Sequence, residues 1–170
     1  MNSTLHNILG ESGDGSLASV LSVVQRLDRE SNMDLGKPLE IAFLRNFTVE
    51  GIEPYLKWRL YQNEIAPSVS FGGFDTVTQD VLGGVYKVGD ADPDIVVLSL
   101  LPDLYVPDFE MGAWWADDVS ESLVNLFDQL ASRTGALVVL NTFPRPAYSE
   151  LGSNTDGASG SLAYKISSVN

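Results

Sequence analysis

Arg45, Asn46 and Thr48 follow the apolar run LEIAFL and precede a helix-patterned segment. An arginine in that place can pair with a phosphate or carboxylate, and an asparagine can orient a hydroxyl or an amide. A hydroxyl such as that of Thr48 becomes a nucleophile only when a base within hydrogen-bond reach takes its proton. Further along, Gly72-Gly73, Asp103 and Asn141 each follow another apolar run. If those runs are successive parallel strands, Arg45, Asn46, Gly72, Gly73, Asp103 and Asn141 converge at the carboxyl ends, the edge where open α/β sheets hold ligands. The same residues have a simpler use. Strand-end loops need polar groups, so Arg45 can pair with Asp75 or Asp103 while the asparagines satisfy loop backbone. Thr48 can equally be the N-cap of the helix that follows it.

Several chemistries are excluded at once. The chain has no cysteine, so it has no disulfide framework, no thiolate nucleophile and no zinc–thiolate site. Its one histidine, His6, lies in a polar amino-terminal stretch and reads as a solvated residue. Asp108, Glu110, Asp117 and Asp118 lie close together but lack a spaced ligand motif, so they read as solvated acids and no metal site is expected. The formal net charge is -13, from 23 acids and 10 bases. Such a surface repels nucleic-acid phosphates, anionic membranes and acidic partners. No apolar run approaches the ~18 residues of a membrane helix, and the amino terminus has no basic n-region, so a cytoplasmic location is expected.

The elements that must hold the polar groups are legible in outline. Residues 1–15 are polar and Gly-rich and are expected to be a disordered lead-in. Ser16 caps a helix with Leu17, Val20, Leu21, Val24 and Leu27 at helical spacing. Residues 39–44 form a strand, and Thr48 or Glu50 opens a helix whose first turn must accommodate Pro54. PSVSF is a second strand, Gly72-Gly73-Phe74-Asp75 a turn, and Asp75 the cap of a short helix broken at Gly83-Gly84. IVVLSLL is a third strand. Residues 102–116 form a long loop with Tyr105, Phe109, Trp114 and Trp115, readable as a lid or docking surface or as core covering the sheet edge. Asp117 caps an amphipathic helix with Val119, Leu123, Phe127 and Leu130 on one face. ALVVLNTF is a fourth strand, residues 144–160 a loop, and a last helical pattern starts at Leu162. Alternating strands and helices predict an α/β three-layer sandwich with a mainly parallel sheet. Residues 16–170 are expected to be a single α/β domain.

The series IAFLRNFTVEGIEPYLKWRLYQNEIAPSVSFGGFDTVTQDVL, DADPDIVVLSLLPDLY and ALVVLNTFPRP resembles the N-terminal domain of FkbH-like proteins, from about Leu39 to Pro146. That domain looks like a member of the SGNH-hydrolase fold group, so the resemblance implies an SGNH/flavodoxin-like sheet. FkbH-like proteins join it to a C-terminal phosphatase-like domain of the HAD superfamily. They are associated with moving a glyceryl unit from a phosphorylated intermediate onto acyl carrier protein in polyketide or related biosynthesis. Their catalytic apparatus, an Asp-x-Asp motif and a downstream thiol, lies in that second half. The resemblance therefore implies that this chain is truncated at its C-terminus relative to the family. A HAD-like domain is expected beyond residue 170 as its partner, with acyl carrier protein meeting that half. Mg is expected only there, and no cofactor in this chain. Asp90-Ala91-Asp92 has the motif's spacing but precedes the strand IVVLSLL, so it reads as the turn leading in.

An SGNH hydrolase also needs a serine after its first strand and a late histidine. The matching positions 45–48 hold no serine, Thr48 is their only hydroxyl, and the late Asp-x-x-His block is absent. Gly72 or Gly73 matches the family's glycine, whose backbone N–H can face the cleft. Asp103 falls near the position of the family's asparagine, where an ionised carboxylate accepts but cannot donate. The expectation is a non-hydrolytic accessory, substrate-positioning domain with no catalytic residue but the weak candidate Thr48. Alternatives are a divergent SGNH-type esterase or acyltransferase, or a stand-alone interaction module using Trp114-Trp115. Arg45→Ala is expected to weaken anion affinity and leave the fold intact.

Overall fold

A computed structural model of the chain describes residues 3–10, 15–30, 35–87, 92–107, 109, 113–144 and 161–170. Strands β1 (Leu39–Arg45), β2 (Pro67–Phe74), β3 (Ile95–Ser99) and β4 (Leu137–Leu140) form one parallel sheet in the order β2-β1-β3-β4. Helices flank it, which gives the α/β three-layer class that the alternating pattern predicts. β3 pairs with β4 in the register Ile95↔Leu137 to Leu98↔Leu140. By contacts the chain divides into two compact units, Met1–Ile41 with Thr48–Ser70, and Ala42–Phe47 with Phe71–Asn170.

In the first unit the expected disordered lead-in gives way to helix α1 (Ser3–Gly10), in which Leu5 and Ile8 are buried. The polar composition of 1–15 masked one apolar stripe, Leu5, Ile8 and Leu9, at the i, i+3, i+4 spacing of a helix face; residues 11–14 lie outside the described residues. Helix α2 (Leu17–Arg29) begins at Ser16, whose hydroxyl accepts from the Ser19 backbone N–H at 3.4 Å. Glu50 opens a 3-10 turn, Glu50–Ile52, with Val49 and not Thr48 at its cap position. Helix α3 (Glu53–Gln62) follows with Pro54 in its first turn, where a missing N–H costs nothing. Leu5, Ile8, Val23, Leu27 and Tyr61 close a small core of their own.

Asp28 ties α2 to α3. Its Oδ1 accepts from the Tyr61 hydroxyl at 2.8 Å and its Oδ2 from Lys57 Nζ at 3.0 Å, while Glu53 Oε1 lies 3.1 Å from the same ammonium. Burial, then the hydrogen bond and charge of Asp28, push the Tyr61 phenol upward. Burial pulls the Lys57 ammonium down, but Asp28 and Glu53 outweigh it and leave that pKa above its ordinary value.

The second unit is built on the face of the sheet that holds Ala42, Leu44, Val96 and Leu98. Helix α4 (Val77–Gly83) ends at Gly84, whose φ of 69° is the left-handed C-cap that glycine supplies. The expected turn at 72–75 is strand as far as Phe74, where β2 ends, and Asp75 is the turn residue. Asp75 sits at φ 56°, and Thr76 takes the cap position expected of it. The expected loop 102–116 contains a short helix α5 (Pro102–Tyr105). Helix α6 (Ala116–Ala131) starts one residue before the expected cap Asp117. Asp117 and Asp118 fall in its first turn, where carboxylates complement the helix dipole. Its buried residues Val119, Leu123, Leu126 and Leu130 run along one face onto the sheet. Helix α7 (Leu162–Val169), capped by Ser161, adds Leu162 and Ile166 to that core. Residues 145–160 of the expected loop lie outside the described residues.

Both raised pKa values in the α2–α3 clamp have one sign. Unfolded tyrosine and lysine release their protons near pH 10, at about their reference values. The native clamp holds those protons, so its stabilisation is whole below that pH and is lost as pH rises further. Tyr61→Phe is expected to lower stability at pH 7 by about 1 kcal/mol. It should also flatten the decline above about pH 10, because one of the two linked protons is then missing. Thermal unfolding of both proteins between neutral and strongly alkaline pH, followed by circular dichroism, checks this; parallel declines would count against it.

Candidate functional site

Arg45, Asn46, Gly72, Gly73, Asp103 and Asn141 all lie in the second unit, at or beyond strand ends. Asn46 and Asn141 immediately follow β1 and β4, the two neighbours of β3. Their backbone N–H groups continue the ladder, Asn46 to the Ser99 carbonyl at 3.2 Å and Asn141 to the Leu98 carbonyl at 3.3 Å. Their side chains then reach the next residues of the β3 chain. Asn46 Oδ1 accepts from the Leu101 N–H at 2.8 Å, and its Nδ2 donates to the Leu101 carbonyl at 3.0 Å. Asn141 Oδ1 accepts from the Leu100 N–H at 2.7 Å, and its Nδ2 donates to the carbonyls of Leu100 at 3.0 Å and Thr142 at 2.9 Å. A carboxamide carries one acceptor and one donor group, like a peptide, so each side chain stands in for a strand partner. Both amides are thereby engaged with the chain's own backbone. Asn170 repeats the device on Phe143, accepting at 2.7 Å and donating at 2.9 Å.

The glycines serve a second close contact. A Cβ on Gly72 would lie 2.6 Å from Asp80 Oδ2 and 2.9 Å from Leu44 Cδ2, so only glycine fits without displacement. The Gly73 N–H, which the family pattern would aim at a cleft, donates to Asp80 Oδ2 at 3.0 Å. Thr76 Oγ1 donates to the same oxygen at 2.9 Å. Asp80 is buried, and its partners keep a charged group tolerable there. Nothing in the run TVTQDVL marks Asp80 beyond its i, i+4 spacing from Thr76.

Arg45 ends β1 and is buried, 8% exposed, with its guanidinium carbon 5.8 Å from the ring centroids of both Phe71 and Phe74. Phe71 in turn stacks on Phe43 at 5.4 Å. The Arg45 carbonyl accepts from the Asp75 N–H at 3.1 Å. Asp103 is exposed in the first turn of α5. Thr48 belongs to the first unit, where it is exposed. Asp92 lies at the opposite, amino edge: its Oδ2 accepts from the Gly135 N–H at 3.0 Å, and that bond first, then Lys87, holds its carboxyl below the ordinary range. Asp90 and Ala91 of the same turn lie outside the described residues. Among the described residues no group of three His, Cys, Asp or Glu could hold a metal ion. No helix of the described residues is long and apolar enough to cross a membrane.

The two neighbouring tryptophans part company. Trp114 is buried against Phe109, with ring centroids 5.6 Å apart, and donates its indole N–H to the Phe109 carbonyl at 3.3 Å. Trp115 is 73% exposed. The buried Lys165 ammonium lies 5.1 Å from the Trp114 ring and 5.9 Å from that of Trp115. The loop is therefore core at one tryptophan and surface at the next.

No protein-family model matches the sequence, and no curated protein matches it. Among solved structures the chain is similar to the N-terminal part of the protein BF1531 from Bacteroides fragilis, which contains a phosphatase domain and is complexed with Mg. The TM-score is 0.61 at 13% sequence identity, over 86% of this chain. The chain spans 40% of that structure's length. At this identity the likeness establishes the fold and leaves activity to be argued from the residues.

Two substitutions test how this edge is held. Asn46→Asp keeps the acceptor for the Leu101 N–H but turns a carboxylate oxygen toward the Leu101 carbonyl. It is expected to cost about 1–3 kcal/mol near neutral pH. Burial and the facing carbonyl raise the new carboxyl's folded pKa, so the penalty should shrink as pH falls and the acid regains a donor. Urea unfolding at pH 5 and pH 7.5 would show it, and an equal deficit at both would argue against the clamp. Arg45→Ala, expected to leave the fold intact, should lower its stability without any ligand. The loss of two ring contacts and a buried stem predicts about 1–2 kcal/mol, also read from urea unfolding.

Proposed function

We propose that the chain is a non-hydrolytic accessory domain, akin to the SGNH-like N-terminal domain of FkbH-like proteins. In this reading it positions a phosphatase-like catalytic half of the same polypeptide. That half would carry the acyl- or glyceryl-transfer chemistry, the Mg site and the contact with acyl carrier protein, in a cytoplasmic pathway of the polyketide type. The observation that carries the reading is the engagement of the strand-end amides. Asn46 and Asn141, the groups best suited to orient a substrate, hold Leu100 and Leu101 instead. The edge is built as a support. The fold likeness to a protein that contains a phosphatase domain, of which this chain spans 40%, favours the same division of labour.

The hydrolase alternative lacks its parts among the described residues. Thr48 Oγ has no hydrogen-bond partner there, and the one histidine, His6, is exposed and bonded to Glu64 at 3.2 Å. A threonine without a base is a poor nucleophile.

The purified chain, assayed with p-nitrophenyl acetate and butyrate and, with Mg added, p-nitrophenyl phosphate, is expected to release nitrophenol no faster than buffer. Ester hydrolysis that Thr48→Ala abolishes would overturn the accessory reading in favour of a divergent esterase. Hydrolysis of the phosphate by the chain alone would overturn the assignment of chemistry to another half.

A further inference from the structure

Along α6 the second unit carries two adjoining cavities, of about 350 Å3 and about 290 Å3, which share Tyr105, Asp118 and Ser122. The smaller is walled by Trp114, Trp115, Val106, Pro107 and Val119. The larger continues down the helix past Glu121 and Asn125 to Gln129. Together they make a groove with an aromatic pocket at one end and an acidic, amide-lined floor at the other. Its middle is internally satisfied, since the Tyr105 hydroxyl and Ser122 Oγ lie 2.9 Å apart in a hydrogen bond. Asp118 and Glu121 are exposed, and no described lining residue of either cavity is basic. The nearby cation, Lys165, is buried against the tryptophan rings and lines neither cavity.

We infer that this groove docks a basic segment of a partner protein, with an apolar side chain in the Trp114–Trp115 pocket and lysine or arginine side chains on Asp118 and Glu121. Charge complementarity selects the occupant. A chain of net charge -13 opposes a second copy of itself and any acidic partner, so the groove's own carboxylates are matched only by a cationic segment. A tryptophan exposed to 73% beside a preformed cavity is the kind of anchor that supplies interface energy. The asparagine and glutamine on the floor can take the backbone groups of an extended chain. The inference stands apart from the accessory reading, because an enzyme with this groove would dock the same segment.

The test is a fluorescence titration, using the signal of the chain's 3 tryptophans. The probe is a capped peptide of alternating lysine and leucine with one phenylalanine, compared with versions carrying glutamine or glutamate in place of lysine. Only the lysine peptide is expected to bind. Asp118→Asn with Glu121→Gln should weaken it about tenfold, and Trp115→Ala by a similar factor. A control pair of equal charge change, Glu64→Gln with Asp128→Asn, should leave binding unchanged, which separates the groove from diffuse attraction to an acidic protein. Circular dichroism and unfolding midpoints confirm that each variant is folded. Equal weakening by both pairs, undiminished binding in the groove pair, equal binding of the glutamine peptide, or no binding at all would overturn the inference. So would a concentration-dependent dimer of the free chain, seen by sedimentation, that Trp115→Ala dissolves.

Discussion

A strand that runs on past its neighbours leaves backbone N–H and C=O groups without ladder partners, and burial makes each of them costly. In this protein that constraint falls on Leu100 and Leu101, which leave the end of β3 between β1 and β4. Two carboxamides meet it from either side, Asn46 on Leu101 and Asn141 on Leu100. Much of the second unit is set by that junction. Leu101 is the residue before α5, so its anchoring fixes where α5 starts, and the Leu101 carbonyl also accepts from the Tyr105 N–H at 3.1 Å. The hydroxyl of Tyr105 then meets Ser122 on α6. A short chain of hydrogen bonds thus connects the end of the sheet to the groove along α6.

The same edge is closed at β2 by a different device. Gly72 gives the space and Gly73 the N–H that let the Asp80 carboxylate lie against the strand, with Thr76 as a second donor. Arg45 fills the other face with its stem and lays its guanidinium against Phe71 and Phe74. Asn46, Asn141 and the Gly73 N–H are turned toward the protein's own groups, while Asp103 is exposed. This differs from an oxyanion-binding edge, where donors must aim at an empty position. A cleft becomes a joint when its donors find partners within the chain.

Element types were legible because periodicity and capping act locally. Ser16 and the spacing of Val20, Val24 and Leu27 mark α2, and Pro54 marks the first turn of α3. Continuous apolar runs mark β1 and β3. What composition hid is α1, whose two buried apolar residues sit in an otherwise polar stretch and are stabilised by partners far along the chain, Leu27 and Tyr61. The Gly-Gly pair reads as a turn because glycine is the usual turn residue. Here the reason for glycine is steric, a carboxylate arriving from α4, and sequence spacing carries no trace of that approach. The polar residues of the site were visible as a set, but their partners were not. An asparagine that binds a substrate and one that binds a neighbouring strand have the same one-letter code.

Charge follows a similar logic. Among 10 basic residues, Arg45 and Lys165 are buried and lie against aromatic rings, Phe71 and Phe74 for one, Trp114 and Trp115 for the other. Aromatic faces accept a cation while excluding water, so these positive charges are placed where solvent and partners feel them least. Among the described residues of the second unit, these two cations are withdrawn from the surface, as is the carboxylate of Asp80. Lys165 lies near two neighbouring tryptophans, one buried and one exposed. The same lysine thus places its charge between a ring that faces the core and one that faces out, so one buried cation lies against both.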